Sequence, residues 1–202
     1  MAPRFFKQFA EQEGIRPSPS HDERLRQENR WVEGLRRDDE ASFEHLYRFY
    51  YPRLGQYLLR QVRSKRDVED ILHSIFLSLW KNRSSLQPSG TLRAYLYRAA
   101  RNRAINHQQR ESEHRELPAD IPEPVEMDLH RSDTLEYREF EEAFQKALSN
   151  LPEKRRQIFL MHRTDQLTYR EIAEILEISI KTVESQMRRS LQHFEQKLEY
   201  FI

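Results

Sequence analysis

Six polar or charged side chains fall on or near one face of a segment close to the C-terminus. They are Lys181, Glu184, Ser185, Gln186, Arg188 and Arg189. The apolar residues from Val183 to Phe194 recur at three- and four-residue steps on the other side, which predicts an amphipathic helix. Polar side chains presented from the N-terminal turns of a helix are suited to hydrogen-bonding base edges in the major groove of DNA.

The elements that must position this helix are a shorter helix and a tight turn before it. Thr168 is a predicted N-cap, and Glu171 follows three residues later, as a capping box requires. Glu177 falls near the position where a residue in the left-handed backbone conformation, most often Gly, would favour the turn. Ser179 can cap the next helix. The pattern favours a DNA-binding helix-turn-helix. An ordinary helical hairpin is the alternative that these residues alone leave open.

A second candidate nucleic-acid site is a segment rich in arginine and amide side chains. Between Arg93 and Arg110 there are five arginines and no acidic residue. Cations interleaved with aromatic rings suit single-stranded nucleic acid, whose bases stack on the rings. Of the two nearby tyrosines, Tyr95 is expected in the core and Tyr97 is left open. The arginines could instead form a solvated face, or pair with the acidic residues immediately downstream.

A third feature is the amphipathic helix predicted from Asp67 to Lys81, which has an acidic start. Its carboxylates either complement the helix dipole or form a docking face for a basic partner. Metal ligation by Glu69, Asp70 and His73 is disfavoured, because their spacing does not recur in metal sites. We therefore expect neither a metal nor a cofactor.

The composition limits the class of protein. The chain has 202 residues, of which 33% are charged and 37% hydrophobic, with only 4 Gly, so an all-α fold is expected. A net charge of +1 confines any nucleic-acid surface to local patches, and the absence of Cys excludes disulfides and thiolate zinc sites. No motif of catalysis is present, so the protein is not expected to be an enzyme. No apolar run approaches the ~20 residues of a membrane span, and no signal peptide is evident, so a cytoplasmic protein is expected.

The charge distribution divides the chain into two small helical domains joined by an acidic, flexible linker. Residues 111–142 contain twelve acidic residues and three arginines, and prolines interrupt the first part. A first short helix is expected at 31–37, and a kink or break in the next helix near Pro52. The predicted organisation is a flexible extension at 1–30, a helical bundle at 31–110, the linker at 111–134 and a helix-turn-helix domain at 135–202.

These parts, in this order, resemble the RNA polymerase sigma factors of the sigma-70 family, in its extracytoplasmic function (ECF) group. RDVEDILHSIFLSLW at 66–80 is similar to the family's region 2.2, and TLRAYLYRAARNRAINHQQR at 91–110 resembles regions 2.3 and 2.4. ALSNLPEKRRQIFLMHRTDQLTYREIAEILEISIKTVESQMRRSL at 147–191 resembles region 4. The resemblance implies a protein that binds core polymerase, recognises and melts promoter DNA, and initiates transcription at a specific regulon.

The resemblance also implies three sets of contact residues. Contacts to the −35 promoter element are expected from Thr168, Tyr169, Lys181, Thr182, Glu184, Ser185, Gln186, Arg188 and Arg189. Contacts to the −10 element are expected from Arg98, Arg101, Asn102, Arg103, Asn106, His107 and Arg110. Contacts to polymerase are expected from Asp67, Asp70, Ile71, His73, Ser74, Leu77 and Trp80. The implied partners are core RNA polymerase, through its β′ clamp helices and β flap, promoter DNA and an anti-sigma factor, without insertion into a membrane.

Further expectations follow from the family's pattern and from departures from it. The loop at 87–90 is a candidate pocket for a base flipped from the stack, and the acidic linker would lie in the positively charged channel of polymerase. His73-Ser74 stands where many members have Gln-Glu, so polymerase contact should rest more on the acidic start of the helix. Gln186 and Leu191 stand at two positions that are Arg in many members, which suggests a different −35 preference.

Two other classes of function remain open on the sequence. One is a repressor or activator that binds duplex DNA without polymerase; it would need to dimerise, because one short helix reads few base pairs. The other is an adaptor that binds no DNA and whose basic and acidic segments pair with each other.

Overall fold

The structure, a computed structural model, describes residues 21–86, 90–113 and 135–201. Over these residues it contains α-helices and short 3-10 turns and no strand, as the all-α prediction requires. The helices are α1 (His21–Arg36), α2 (Glu40–Leu59), α3 (Lys65–Lys81), α4 (Leu92–Glu113), α5 (Leu135–Ser149), α6 (Glu153–Arg163), α7 (Tyr169–Leu176) and α8 (Ile180–Lys197). None of these helices is long and apolar enough to cross a membrane. The expectations for residues 1–20, 87–89 and 114–134 lie outside the described part of the chain.

Helices α1 to α4 form an N-terminal bundle around one apolar core. Helix α3 begins after Ser64, whose hydroxyl accepts the N–H of Asp67 at 3.3 Å. The apolar stripe of α3 is buried as its periodicity predicts, from Val68 to Leu79. Helix α2 supplies the facing side of the core, where Tyr50 and Tyr57 are almost completely buried.

The start of this bundle differs from the sequence prediction. Helix α1 begins at His21, ten residues before the expected short helix at 31–37. The first turns were missed because their sequence is almost entirely polar. They are nevertheless held in place, since Glu28 is 2% exposed and its carboxylate accepts a hydrogen bond from the Tyr50 hydroxyl.

Two other boundaries also differ from the prediction. Helix α2 continues through Pro52 without a break. Pro52 lies on the exposed side of α2, where water can solvate the carbonyl that loses its N–H partner. Helix α4 continues to Glu113, so the first three residues assigned to the linker are helical.

Helices α5 to α8 form a C-terminal bundle with an aromatic centre. Phe194 of α8 stacks on Phe144 of α5 with ring centroids 5.0 Å apart, and its ring lies 4.6 Å from that of Phe159 of α6. Phe159 and Phe194 are each 1% exposed. This packing fixes α8 against the rest of the bundle and leaves its opposite face to solvent.

Candidate nucleic-acid interface

The turn between α7 and α8 has the local structure that its residues predict. The Thr168 hydroxyl accepts the N–H of Glu171 at 3.2 Å, and the Glu171 carboxylate accepts the N–H of Thr168 at 2.8 Å, which completes the capping box. Glu177 ends α7 in the left-handed conformation, with φ 58° and ψ 42°. Ser179 then caps α8 by accepting the N–H of Thr182 at 3.1 Å. The predicted helix-turn-helix is therefore present.

The outer face of α8 presents a polar stripe to solvent. Lys181, Glu184 and Arg188 are exposed and Ser185 is half-buried, and their spacing of three and four residues keeps them on one side of the helix. The buried Val183, Met187 and Phe194 lie on the other side. Of the remaining predicted −35 residues, Thr182 and Arg189 are exposed and flank this stripe. A helix in this arrangement can enter the major groove without disturbing its own core.

Three predicted −35 residues are partly covered. The Thr168 side chain is engaged in the capping box, and the ring of Tyr169 lies at a tilt against that of His162, with ring centroids 4.8 Å apart. Burial, together with the charge of Glu184, raises the pKa of the Tyr169 hydroxyl. The side-chain carbonyl of Gln186 accepts a hydrogen bond from Arg155 Nε at 3.1 Å. Arg155 lies on α6, and no sequence pattern marks it as a partner of Gln186.

Helix α4 carries the predicted −10 residues on a broad surface. Asn102, Asn106 and Arg110 are exposed and lie four residues apart, so they form a stripe along the C-terminal half of the helix. Arg101 and Arg103 are half-buried beside it. Tyr97, which the sequence left open, is completely buried in the core, and Tyr95, which was expected in the core, is only partly buried.

His107 lies at the edge of this stripe, beside two carboxylates. Its Nε2 atom is 3.4 Å from Asp67 Oδ2 and 3.8 Å from Glu111 Oε2. These three residues form the group in the described chain whose ligand atoms could reach one metal ion. Imidazole beside carboxylates is also an ordinary ion pair when the ring is protonated, so the contact needs no metal. It joins the start of α3 to the C-terminal half of α4.

The predicted polymerase-binding residues of α3 divide into an exposed stripe and a buried one. Asp70, His73, Ser74 and Leu77 are exposed at steps of three and four residues. Leu77 is 55% exposed, which leaves an apolar side chain in the middle of a polar face. Ile71 is 8% exposed and belongs to the core. Asp67 is half-buried at one end of the stripe; at the other end Trp80, also half-buried, packs under the Arg83 guanidinium at 4.2 Å.

The two bundles are joined by a set of polar contacts that the sequence analysis did not predict. Arg60, at the end of α2, pairs with Asp165 after α6, and both side chains are buried. Arg93 of α4 is 4% exposed; its guanidinium donates to the backbone carbonyl of Asp165 and to that of Gln166, the latter at 3.0 Å. No local pattern marks these residues, because the partners lie more than seventy positions apart.

Comparison with known proteins matches each of the two helical bundles to a family model. Residues 46–114 match the family model for sigma-70 region 2, and residues 141–194 match that for sigma-70 region 4. The ECF RNA polymerase sigma factor RpoE of Cereibacter sphaeroides is 23% identical over 173 residues, which cover 83% of this chain and 94% of that protein.

Two solved structures share the fold. One is CnrH in complex with the cytosolic domain of CnrY, with a TM-score of 0.57 and 17% identity, covering 86% of this chain and 98% of that one. The other is the sigma factor RpoE in complex with the anti-sigma factor NepR from Bartonella quintana, with a TM-score of 0.53 and 18% identity, covering 78% and 96%.

The two region matches together cover more than half of the chain, and they occur in the order that the sequence analysis predicts. A polymerase-independent repressor or an adaptor would have no use for region 2. The chain is a non-enzymatic factor that directs transcription initiation at promoters. It belongs to the sigma-70 family of RNA polymerase sigma factors, in the extracytoplasmic function group.

Proposed function

We propose that three separate helix faces of this chain divide the work of promoter recognition. The face of α8 from Lys181 to Arg188 reads duplex DNA at the −35 element. The stripe of α4 that carries Asn102, Asn106 and Arg110 holds the −10 region. The exposed stripe of α3 around Leu77 binds core polymerase. The single observation that carries this assignment is that each face is solvent-exposed on a helix whose opposite side is buried in a bundle core.

The −35 assignment rests on the chemistry of the α8 face. Lys181, Arg188 and Arg189 are exposed cations that can contact phosphates, and Glu184 and Ser185 offer acceptors or a hydroxyl to base edges. The side chain of Gln186 is held in position by Arg155, which donates a hydrogen bond to its carbonyl oxygen. Phosphate contacts position the helix, and base contacts select the sequence.

The −10 assignment rests on the amide-rich surface of α4. Asn102 and Asn106 can hydrogen-bond unstacked bases, and Arg110 and Arg103 can follow the backbone. Unstacking a base costs a few kcal/mol, so melting by this chain also requires contacts that only polymerase supplies. His107 is held by Asp67 and Glu111 at the edge of this surface.

The polymerase assignment rests on the exposed residues of α3. Ile71, which was expected to contact polymerase, is assigned a supporting role instead. Asp70, His73, Ser74 and Leu77 form the contact face toward the β′ clamp helices. Ile71 supports that face from the core rather than touching polymerase, because it is 8% exposed. The C-terminal bundle would meet the β flap, and the acidic linker would occupy the nucleic-acid channel.

An anti-sigma factor and a cytoplasmic location complete the proposal. Two solved proteins of this fold are complexes, one with the cytosolic domain of CnrY and one with the anti-sigma factor NepR. A protein that binds such a partner and core polymerase acts in the cytoplasm.

The test of the function is promoter-directed transcription in vitro. The purified protein is added to bacterial core polymerase free of any sigma factor, with a library of fragments from its own genome. We expect discrete start sites that depend on the protein and share −35 and −10 sequences. Specific duplex binding by the protein alone, without transcription, would contradict the proposal.

A further inference from the structure

One group of side chains in the N-terminal bundle brings an imidazole together with two carboxylates. His107 and Glu111 lie one turn apart on α4, and Asp67 lies in the first turn of α3. Residues four positions apart share a face of a helix, so the backbone of α4 alone places His107 beside Glu111. The packing of α3 on α4 adds Asp67. The three ligand atoms, His107 Nε2, Asp67 Oδ2 and Glu111 Oε2, all lie within 4.8 Å of one another.

The distances within this group are those of ligands around one ion rather than those of direct hydrogen bonds. His107 Nε2 is 3.4 Å from Asp67 Oδ2 and 3.8 Å from Glu111 Oε2. Hydrogen bonds from nitrogen to oxygen usually measure about 2.7–3.2 Å. Nitrogen and oxygen ligands lie about 2.0–2.2 Å from a tetrahedral zinc ion, which puts neighbouring ligands roughly 3.3–3.6 Å apart. A small inward movement of the Glu111 side chain would complete this spacing.

The imidazole nitrogen at the centre of the group lacks a partner. His107 Nε2 is covered from solvent, yet it makes no hydrogen bond to any residue that the structure describes. A covered polar atom without a partner costs free energy, and a metal ion bound to the nitrogen lone pair would remove that cost. The alternative is a protonated ring that forms an ion pair with the carboxylates, and that alternative predicts no affinity for a metal.

Water can reach the group from one side. The side chains of His107, Asp67 and Glu111 are 24%, 32% and 40% exposed. An ion held by these three ligands therefore keeps a coordination position for water, as zinc does in sites that are not closed by a fourth protein ligand. The same opening provides a path by which the ion can enter.

The donor set selects the kind of ion. Imidazole nitrogen is a ligand of Zn²⁺, Cu²⁺, Ni²⁺ and Fe²⁺, whereas Mg²⁺ and Ca²⁺ take oxygen ligands. Two carboxylates and a neutral imidazole also balance the charge of a divalent cation. The group therefore suits a divalent transition metal, for which zinc is the representative probe.

We propose that Asp67, His107 and Glu111 form a binding site for a divalent transition metal ion such as Zn²⁺. The ion ties the first turn of α3 to the last turns of α4, and water completes its coordination. Asp67 ends the exposed stripe of α3, and His107 lies at the edge of the α4 stripe, so occupancy fixes the spacing of these two faces. The inference does not rest on the proposed function, because the packing of α3 on α4 defines the ligands.

This site is not the one that the sequence brought into question. That group, Glu69, Asp70 and His73, lies within α3 alone. The proposed site depends on two helices, and one ligand belongs to the segment that was expected to be linker. Helix α4 continues to Glu113, which brings Glu111 onto the same face as His107.

The test is zinc binding by the metal-free protein, prepared without a histidine tag. Competition with a chromophoric chelator, in the presence of excess Mg²⁺ and Ca²⁺, gives the affinity and the stoichiometry. We expect one tightly bound Zn²⁺ per chain. His107→Gln, Asp67→Asn and Glu111→Gln each remove one ligand with little change in size. Each should lower the affinity at least about tenfold, since even the loss of an outer partner of a metal ligand costs about 10–100-fold.

Two further readouts and a matched control accompany the titration. Co²⁺ in place of zinc should give the visible absorption of a tetrahedral site, and His107→Gln should abolish it. Zinc should raise the melting temperature of the wild type and not that of His107→Gln. The control is His73→Gln, which removes an exposed histidine near Glu69 and Asp70 and should bind zinc as the wild type does. Circular dichroism without metal checks that all variants retain their helices.

Three results would overturn the proposal. One is a wild-type protein that binds no zinc under these conditions. Another is a folded variant at any of the three ligands that binds zinc as tightly as the wild type. The third is an equal loss of affinity in His73→Gln, which would indicate a general attraction of exposed histidines for the metal. The sigma-factor function stands apart from all three results, because it is judged by transcription with core polymerase.

Discussion

The hydroxyl of Thr91 joins the two bundles while it caps a helix. It accepts the N–H of Ala94 at 3.1 Å, and it donates to Glu171 Oε1, also at 3.1 Å. The other oxygen of Glu171 completes the capping box of α7 with Thr168. One carboxylate therefore lies at the N-termini of α4 and α7 together, where both helix dipoles favour negative charge. The start of α4 and the start of the helix-turn-helix share this group.

Arg188→Ala should weaken binding of the holoenzyme to its −35 element. If Arg188 contacts one phosphate, its loss should reduce the slope of log affinity against log salt by about one. The measurement is promoter affinity at several salt concentrations. Lys197→Ala is the matched control, because it removes an exposed cation from the end of the same helix and away from the polar stripe. An unchanged affinity and slope for Arg188→Ala would show that the recognition face is misplaced.

Leu77→Ser should weaken binding to core polymerase while the fold is retained. Leu77 is 55% exposed, so its truncation removes little from the core of the bundle. Leu77 is the apolar residue of the proposed docking face. Its truncation should lower the affinity for core polymerase about tenfold, or by about 1.4 kcal/mol. The measurement is titration of labelled protein with core polymerase.

The control for Leu77 is Leu59→Ser, an equivalent truncation at a residue that is 41% exposed and lies on α2, outside the docking stripe. Asp70→Ala should also weaken core binding, since Asp70 shares the exposed stripe of α3 with Leu77. Equal effects of Leu77→Ser and Leu59→Ser would contradict the assignment of the docking face to α3.

Much of the candidate site follows from local sequence, because caps and helix faces obey short-range rules. The Thr168–Glu171 capping box, the left-handed Glu177 and the Ser179 cap are all read from residues within three positions of one another, and the structure contains each of them. The buried stripe of α3 likewise follows from periodicity alone.

The features that the sequence could not predict depend on distant partners. The polar start of α1 is stabilised by Glu28 and Tyr50, which are 22 residues apart. The contact of Arg60 with Asp165 spans 105 residues. Arg98 Nη2 lies 3.7 Å from Glu174 Oε1 of α7, a partner 76 residues further along the chain that no local pattern marks. Such pairs become visible only when the helices are placed together in the folded chain.

Glu28→Gln should change how stability depends on pH. Burial raises the pKa of Glu28 above 4.5, against the opposing effects of the Tyr50 hydrogen bond and the Arg93 charge. A carboxyl with a raised folded-state pKa contributes stability that is present at low pH and is lost as pH rises through that pKa. Gln keeps the acceptor for Tyr50 but does not ionise. The melting temperature of the variant relative to wild type should therefore increase as the pH rises from about 4.5 toward neutral. A difference that is constant with pH would contradict the buried-carboxylate interpretation.

Glu177→Gly should stabilise the helix-turn-helix. Glu177 has φ 58°, a conformation that costs a residue with a Cβ about 1 kcal/mol and that glycine adopts freely. We expect a gain of about 0.5–1 kcal/mol in the free energy of unfolding, measured with urea. The comparison is Glu184→Gly, at an exposed position inside α8, which should lose about 1 kcal/mol. A loss of stability in both variants would show that the turn gains nothing from glycine.

Under the proposed function, one chain held on core polymerase binds two promoter elements and opens only one of them. Footprinting of the complete complex on a single promoter, combined with permanganate probing of unpaired thymines, tests this division of roles most directly. We expect protection at both the −35 and −10 elements and reactive thymines at the −10 element alone, all dependent on core polymerase. Protection of one duplex site by the free protein, with no unpaired bases when polymerase is added, would contradict it.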